Sequence, residues 1–205
     1  MRNSAIEKAI ELLTNDCEID MGNYTALDLF ARDASWQTGY YANKIKQVYA
    51  WEIEERFRDD LVKNLPDNSV VTIGDSHKMI SQDKNIYDMI VLDNPQGCYG
   101  ANGEYCEHFD SLPLSLDRLA DNSVLIFNVK TKPFNYNDKT EWQKRRQEFY
   151  SLLDTQNISL EFMNKFYELM FSLRGFKISA SYNIIRPQEI GLYMFVYYLT
   201  KGDFS

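Results

Sequence analysis

The chain has 205 residues, 30 acidic and 22 basic, for a formal net charge of −8; 44% are hydrophobic and 25% charged. One domain of this size buries roughly 70% of its unfolded surface; the composition excludes a disordered polypeptide, and the acidic balance gives no long-range attraction for nucleic acid. No run of 18 apolar residues and no basic lead-in to an apolar stretch occurs, so neither a membrane span nor a cleaved signal peptide is expected; the sparse Cys17, Cys98 and Cys106 imply no disulfide framework, and together these features point to the cytoplasm.

Ile6, Ala9, Ile10 and Leu13 recur at helical spacing and predict an amphipathic helix over 4–14, followed by a lead-in loop up to residue 24. TALDLFA, 25–31, reads as a strand interrupted by Asp28, and a short helix is expected from Thr38. VYAWEI, 48–53, is the second strand, EERFRDDLVKNL a helix and PDNS a turn. VVTIG, 70–74, a short helix over 76–81 and the strand YDMIVLD, 87–93, repeat the alternation. A helix is expected between Glu107 and Leu119 with Pro113 in its first turn, then a fifth strand, SVLIFNVK, 123–130. Such doubly apolar strands suit a parallel sheet between helices. Two helical candidates follow, KTEWQKRRQEFYSLLDT and SLEFMNKFYELMFSLRG, the second ended by Gly175. The strands 176–186 and 191–201 are joined by PQEI, too short for a parallel crossover, so they form an antiparallel hairpin. The reading is a single α/β domain over 1–205, with a seven-stranded mixed sheet and helices on both faces.

In open α/β sheets, ligands collect outside the carboxyl ends of the strands. Asp28 interrupts the first strand, Glu52 lies at the end of the second, Asp75 follows the third and Asp93 the fourth. Charge at the ends of apolar runs is costly unless satisfied. A row of carboxylates suits a neutral or positively charged nucleoside-like molecule, because an acid after the second strand can accept both hydroxyl hydrogens of a ribose. GxxxxGK[ST] and GxGxxG are both missing from the sequence, which counts against ATP and NAD.

The segments ALDLFARDASWQT, AWEIEE, GDS and DNPQG, in this order, resemble the class I S-adenosylmethionine-dependent methyltransferases over Thr25 to Lys201. The resemblance implies a Rossmann-like methyltransferase architecture with S-adenosyl-L-methionine as cofactor. In its terms Asp28 starts the cofactor loop with Phe30 and Ala31, Glu52 holds the ribose beside Ile53, Asp75 and Ser76 lie beside the adenine, and Asp93 sits at the methyl-transfer edge. Many members carry several glycines in the first loop, where this chain has Phe30 to Trp36 and only then Gly39; Trp36 reads equally as a core or a lid residue. DNPQG is similar to the acceptor loop of amino-methylating members, with Asp93, Asn94 and Pro95 as the catalytic candidates; Gln96 and Gly97 depart from its second proline and aromatic.

Gln96, Tyr99 and Tyr105 are the candidate acceptor contacts, on a loop punctuated by Gly97, Gly100 and Gly103. Lys130, Lys132, Lys139, Lys144, Arg145 and Arg146 form a basic cluster that would suit a nucleic-acid acceptor. Cys98, Cys106, His108 and Asp110 lack a zinc spacing, so no metal site is expected. The function expected is methyl transfer to an amine, conceivably the exocyclic amine of a nucleobase in nucleic acid. Small-molecule and protein acceptors and a homodimer stay open. The alternative is a non-catalytic methyltransferase-like binding or regulatory protein, favoured by the glycine-poor loop.

Overall fold

Strand and helix alternate from the start of the computed structural model, which describes residues 5–35, 37–134, 136–186 and 189–202. Trp36 and the Pro187–Gln188 part of the last link lie outside them. Helix α1, Ala5–Asp16, buries Ile6, Ala9, Ile10 and Leu13 as its periodicity requires. There follow β1 (Thr25–Asp28), α2 (Thr38–Tyr41), β2 (Gln47–Glu52), α3 (Arg58–Asn64), β3 (Ser69–Ile73), α4 (Ser76–Gln82) and β4 (Tyr87–Leu92). The second half has β5 (Cys98–Tyr99), β6 (Tyr105–Cys106), α5 (Leu112–Leu116), β7 (Leu119–Lys130), α6 (Thr140–Tyr150), α7 (Leu160–Ser172), β8 (Phe176–Ile185) and β9 (Leu192–Lys201).

The main sheet runs β3-β2-β1-β4-β7-β9-β8. The first five of these pair in parallel, and β9 inserts antiparallel between β7 and β8. Ala26 of β1 stands opposite both Val48 of β2 and Met89 of β4, so strand order reverses at β1 and β4. Alternate side chains go to opposite faces. Ile90 and Leu92 join the core under α4 to α7, while Met89 and Val91 join the core under α1 and α3. Two covered faces leave the strand ends as the place for a cavity.

Three elements differ from expectation. β1 stops at Asp28, and Leu29 and Ala31 keep only single amide bonds, to Val91 and Trp51. The helix expected over 107–119 shrinks to Leu112–Leu116 because Glu107 takes a left-handed backbone, φ 45°, which no helix continues through. Ahead of it an unexpected small hairpin, β5–β6, pairs Cys98 with Cys106 and Tyr99 with Tyr105. Gly97, Gly100 and Gly103 supply positive φ around it.

Candidate functional site

The chain leaving β1 folds back over the strand ends. Asp28 is fully buried and accepts hydrogen bonds from the Phe30 amide at 3.1 Å and from the Thr38 and Tyr41 hydroxyls at 2.7 Å each. Burial pushes its carboxyl up to about 6, against the lowering effect of these donors. Asp28 therefore sits beneath the loop and does not line the cavity, in contrast to the contact expected of it. Above it Arg32 and Ala34 adopt positive φ, 51° and 57°, in a loop that contains no glycine. Gly39 is needed here: a Cβ on it would meet the Ala34 carbonyl oxygen at 2.4 Å, where the Gly39 amide donates at 3.0 Å.

Glu52 closes this loop onto β2. One carboxylate oxygen accepts from the Arg32 amide at 2.9 Å and the other from the Glu54 amide at 2.8 Å, so each keeps a lone pair for a further donor. Asp75 caps α4 through the His77 amide and takes the Tyr105 hydroxyl at 2.6 Å and Lys78 at 3.2 Å. Burial opposes its charge, but these donors outweigh it and hold the carboxyl below the usual range. The same bond and burial push the Tyr105 phenol up to about 12. Tyr105 stacks on His77 with centroids 3.7 Å apart. Tyr99 spends its one proton on the Glu107 carbonyl at 2.8 Å, so His77 Nε2 donates to Tyr99 at 3.0 Å and Nδ1 is a bare, buried acceptor. Burial lowers the imidazole pKa and keeps it neutral near pH 7.

At the end of β4, Asp93 Oδ1 receives both Arg186 and the Asn128 side-chain amide, and its Oδ2 has no hydrogen bond among the described residues. Asn94 is 3% exposed and its side-chain oxygen takes the Asn128 amide of β7 at 3.2 Å, which ties β4 to β7. Gln96 donates from Nε2 to the Asn94 carbonyl at 3.2 Å, and its Oε1 is buried without a partner among the described residues. These segments enclose a cavity of about 900 Å³. Apart from Asp28, all the expected site residues line it: Phe30, Ala31, Glu52, Ile53, Asp75, Ser76, Asp93, Asn94, Pro95, Gln96, Tyr99 and Tyr105. Its walls carry Glu52, Glu54, Asp75, Asp93 and Glu189 against Arg32, Arg56 and Arg186, a charge balance that favours a cation.

The fold recurs in solved structures. A candidate RNA methyltransferase from Pyrococcus horikoshii superposes with a TM-score of 0.58 at 18% identity, over 98% of this chain and 83% of that one. Magnesium protoporphyrin IX methyltransferase from Synechocystis, with bound SAH, gives 0.59 at 12% identity over 96% and 82%. M. jannaschii TYW2 in complex with AdoMet gives 0.56 at 15% over 97% and 76%. The chain has the class I methyltransferase fold. No protein-family model matches the sequence, and no curated protein does.

Within this methyltransferase fold the basic cluster expected of the sequence is dispersed. Arg146 is fully buried and paired with Glu107, Lys130 is 1% exposed and paired with Glu189, and Arg145 forks onto Asp110. Lys144 faces Glu148, leaving Lys132 and Lys139 as exposed members with no ion pair among the described residues. Side chains the sequence reading did not assign to the site also line the cavity, including Arg186, Asn128 and Gln37. Asn128 had a signal, a polar residue inside the apolar run SVLIFNVK. Arg186 had none, because its approach to Asp93 depends on how far β8 extends.

Proposed function

We propose that the chain binds S-adenosyl-L-methionine in the cavity of about 900 Å³ and transfers its methyl group to an amine. The observation that carries this is the convergence of Glu52, Asp75 and Asp93 on one cavity at the strand-order reversal of a methyltransferase fold. The residues present fit that molecule. The volume lies within the roughly 300–1,000 Å³ of small-molecule sites. Gln37 Oε1 and His77 Nδ1, both buried acceptors without a partner among the described residues, suit a ligand rich in N–H and O–H donors. Glu52 would take the ribose hydroxyls, Ile53 and Ser76 would flank the adenine, and Arg32 and Gln37 are placed for the amino-acid end.

When bound, S-adenosyl-L-methionine supplies a methyl group activated by a positive sulfur. The residues of the chain position and desolvate the acceptor. Asp93 Oδ2 accepts an N–H of the amine and aims its lone pair, while Arg186 and Asn128 fix the carboxylate through Oδ1. With that cofactor bound, the acceptor nitrogen would form the new N–C bond with its lone pair as the S–C bond breaks with its electrons left on sulfur, and Asp93 would pass the surplus proton to water. RNA is the acceptor named for one structural neighbour, and a nucleobase amine fits the same chemistry. Calorimetric titration with S-adenosyl-L-methionine, followed by tritium transfer to RNA, nucleosides and protein, tests the reading. Binding with transfer supports it; Asp93→Asn should lower transfer at least tenfold and weaken cofactor binding far less. No binding at millimolar cofactor would refute it.

A further inference from the structure

A second, smaller cavity of about 350 Å³ opens beside the first, and Gln96 and Phe134 line both. Its other walls include Gly97, Cys98, Lys139 and Trp142. Trp142 spends its indole N–H on Glu107 at 2.7 Å, so it offers this space only apolar ring surface. Phe134 stands edge-on to it with centroids 6.1 Å apart and is 56% exposed, with Lys130 Nζ 5.2 Å from its ring centroid. Gly97, at φ 96°, brings bare backbone against the indole; a Cβ there would lie 3.7 Å from it. The volume sits near the lower bound of small-molecule pockets, room for one or two rings.

The orientation of Gln96 is decided by its neighbours. Nε2 faces the Asn94 carbonyl, and a flipped amide would set two oxygens against each other, so Oε1 is the atom left buried and unpaired. Such an acceptor is costly unless a donor arrives. An amino group has two hydrogens, and two residues of the larger cavity's lining carry an acceptor without a hydrogen bond among the described residues, Gln96 through Oε1 and Asp93 through Oδ2, Gln96 lining the smaller cavity as well. We infer that the smaller cavity seats the methyl acceptor as a planar heteroaromatic amine, and that Gln96 accepts one amino hydrogen while Asp93 takes the other. This rests on the methyl-transfer reading of the larger cavity. Asn94, whose oxygen is held by Asn128, keeps the loop in place.

The test uses the full chain saturated with S-adenosylhomocysteine and saturation-transfer NMR with cytosine and adenine, with cyclohexylamine as the non-planar control. Cytosine or adenine should bind, at least fivefold more weakly in Gln96→Leu and in Phe134→Ala, and within twofold of wild type in Lys144→Ala, an exposed position that lines neither cavity. Phe134 is largely exposed, so its variant keeps the fold. An oligonucleotide that competes at least tenfold better than the free base would identify a polymeric source, and equal competition a free small molecule. No base binding, binding indifferent to Gln96→Leu, or equal binding of cyclohexylamine overturns the inference. If S-adenosylhomocysteine itself does not bind, the reading of the larger cavity fails; base binding to the unloaded chain, sensitive to Gln96→Leu and not to Lys144→Ala, would still establish the smaller site.

Discussion

Replacing Asp28 with Asn should change how stability depends on pH. Asp28 is fully buried, and desolvation lifts its pKa from 3.8 to about 6 despite donors from Tyr41, Thr38 and the Phe30 amide. Because the folded state holds this proton more tightly than the unfolded one, the group contributes most below pH 4 and loses that contribution as pH rises through 6. With those two values the loss between pH 5 and pH 7 is about 1.3 kcal/mol. Asn does not titrate, so the difference in unfolding free energy between Asp28→Asn and wild type should move in the variant's favour by about that amount over the same interval. Urea unfolding of both proteins at pH 5, 6 and 7 measures it, with all other titrating groups cancelling in the difference. A flat difference, or one moving in favour of wild type, would show that Asp28 is not a buried charge under the loop.

Gly39→Ala should destabilise the chain by about 1–3 kcal/mol, read as a lower urea midpoint, because its Cβ collides with the Ala34 carbonyl. Arg146→Met should cost about 3–5 kcal/mol by stranding the Glu107 carboxylate, and adding Glu107→Leu should recover much of that; a double-mutant cycle by denaturation checks the sign. Tyr105→Phe removes the 2.6 Å bond to Asp75 and should speed amide exchange across β5–β6 with little change in the rest of the sheet.

Strands buried on both faces announce themselves, and so did the seven-stranded sheet: runs such as MIVL and VLIF have no solvent side to confuse the pattern. The clustering of Glu52, Asp75 and Asp93 followed from strand polarity alone. What stayed illegible depends on tertiary partners. Lys130, Arg145 and Arg146 look like a solvated basic face until Glu189 and the Glu107–Asp110 segment, both distant in sequence, are brought to them. The β5–β6 hairpin has strands of two residues, too short for any periodicity, and only Gly97, Gly100 and Gly103 hinted at it. Asp28 was placed at the right strand end, but sequence does not say that Thr38 and Tyr41 would fold over it and shut it from the cavity.

The central claim is that the larger cavity recognises an adenosine-containing cofactor through Glu52. Isothermal titration of S-adenosylhomocysteine into wild type and Glu52→Gln measures this directly. Each lost hydrogen bond to a charged acceptor is worth about 1.5–3 kcal/mol, so the variant, folded by circular dichroism, should bind at least tenfold more weakly. Equal affinity in the two proteins would contradict the account.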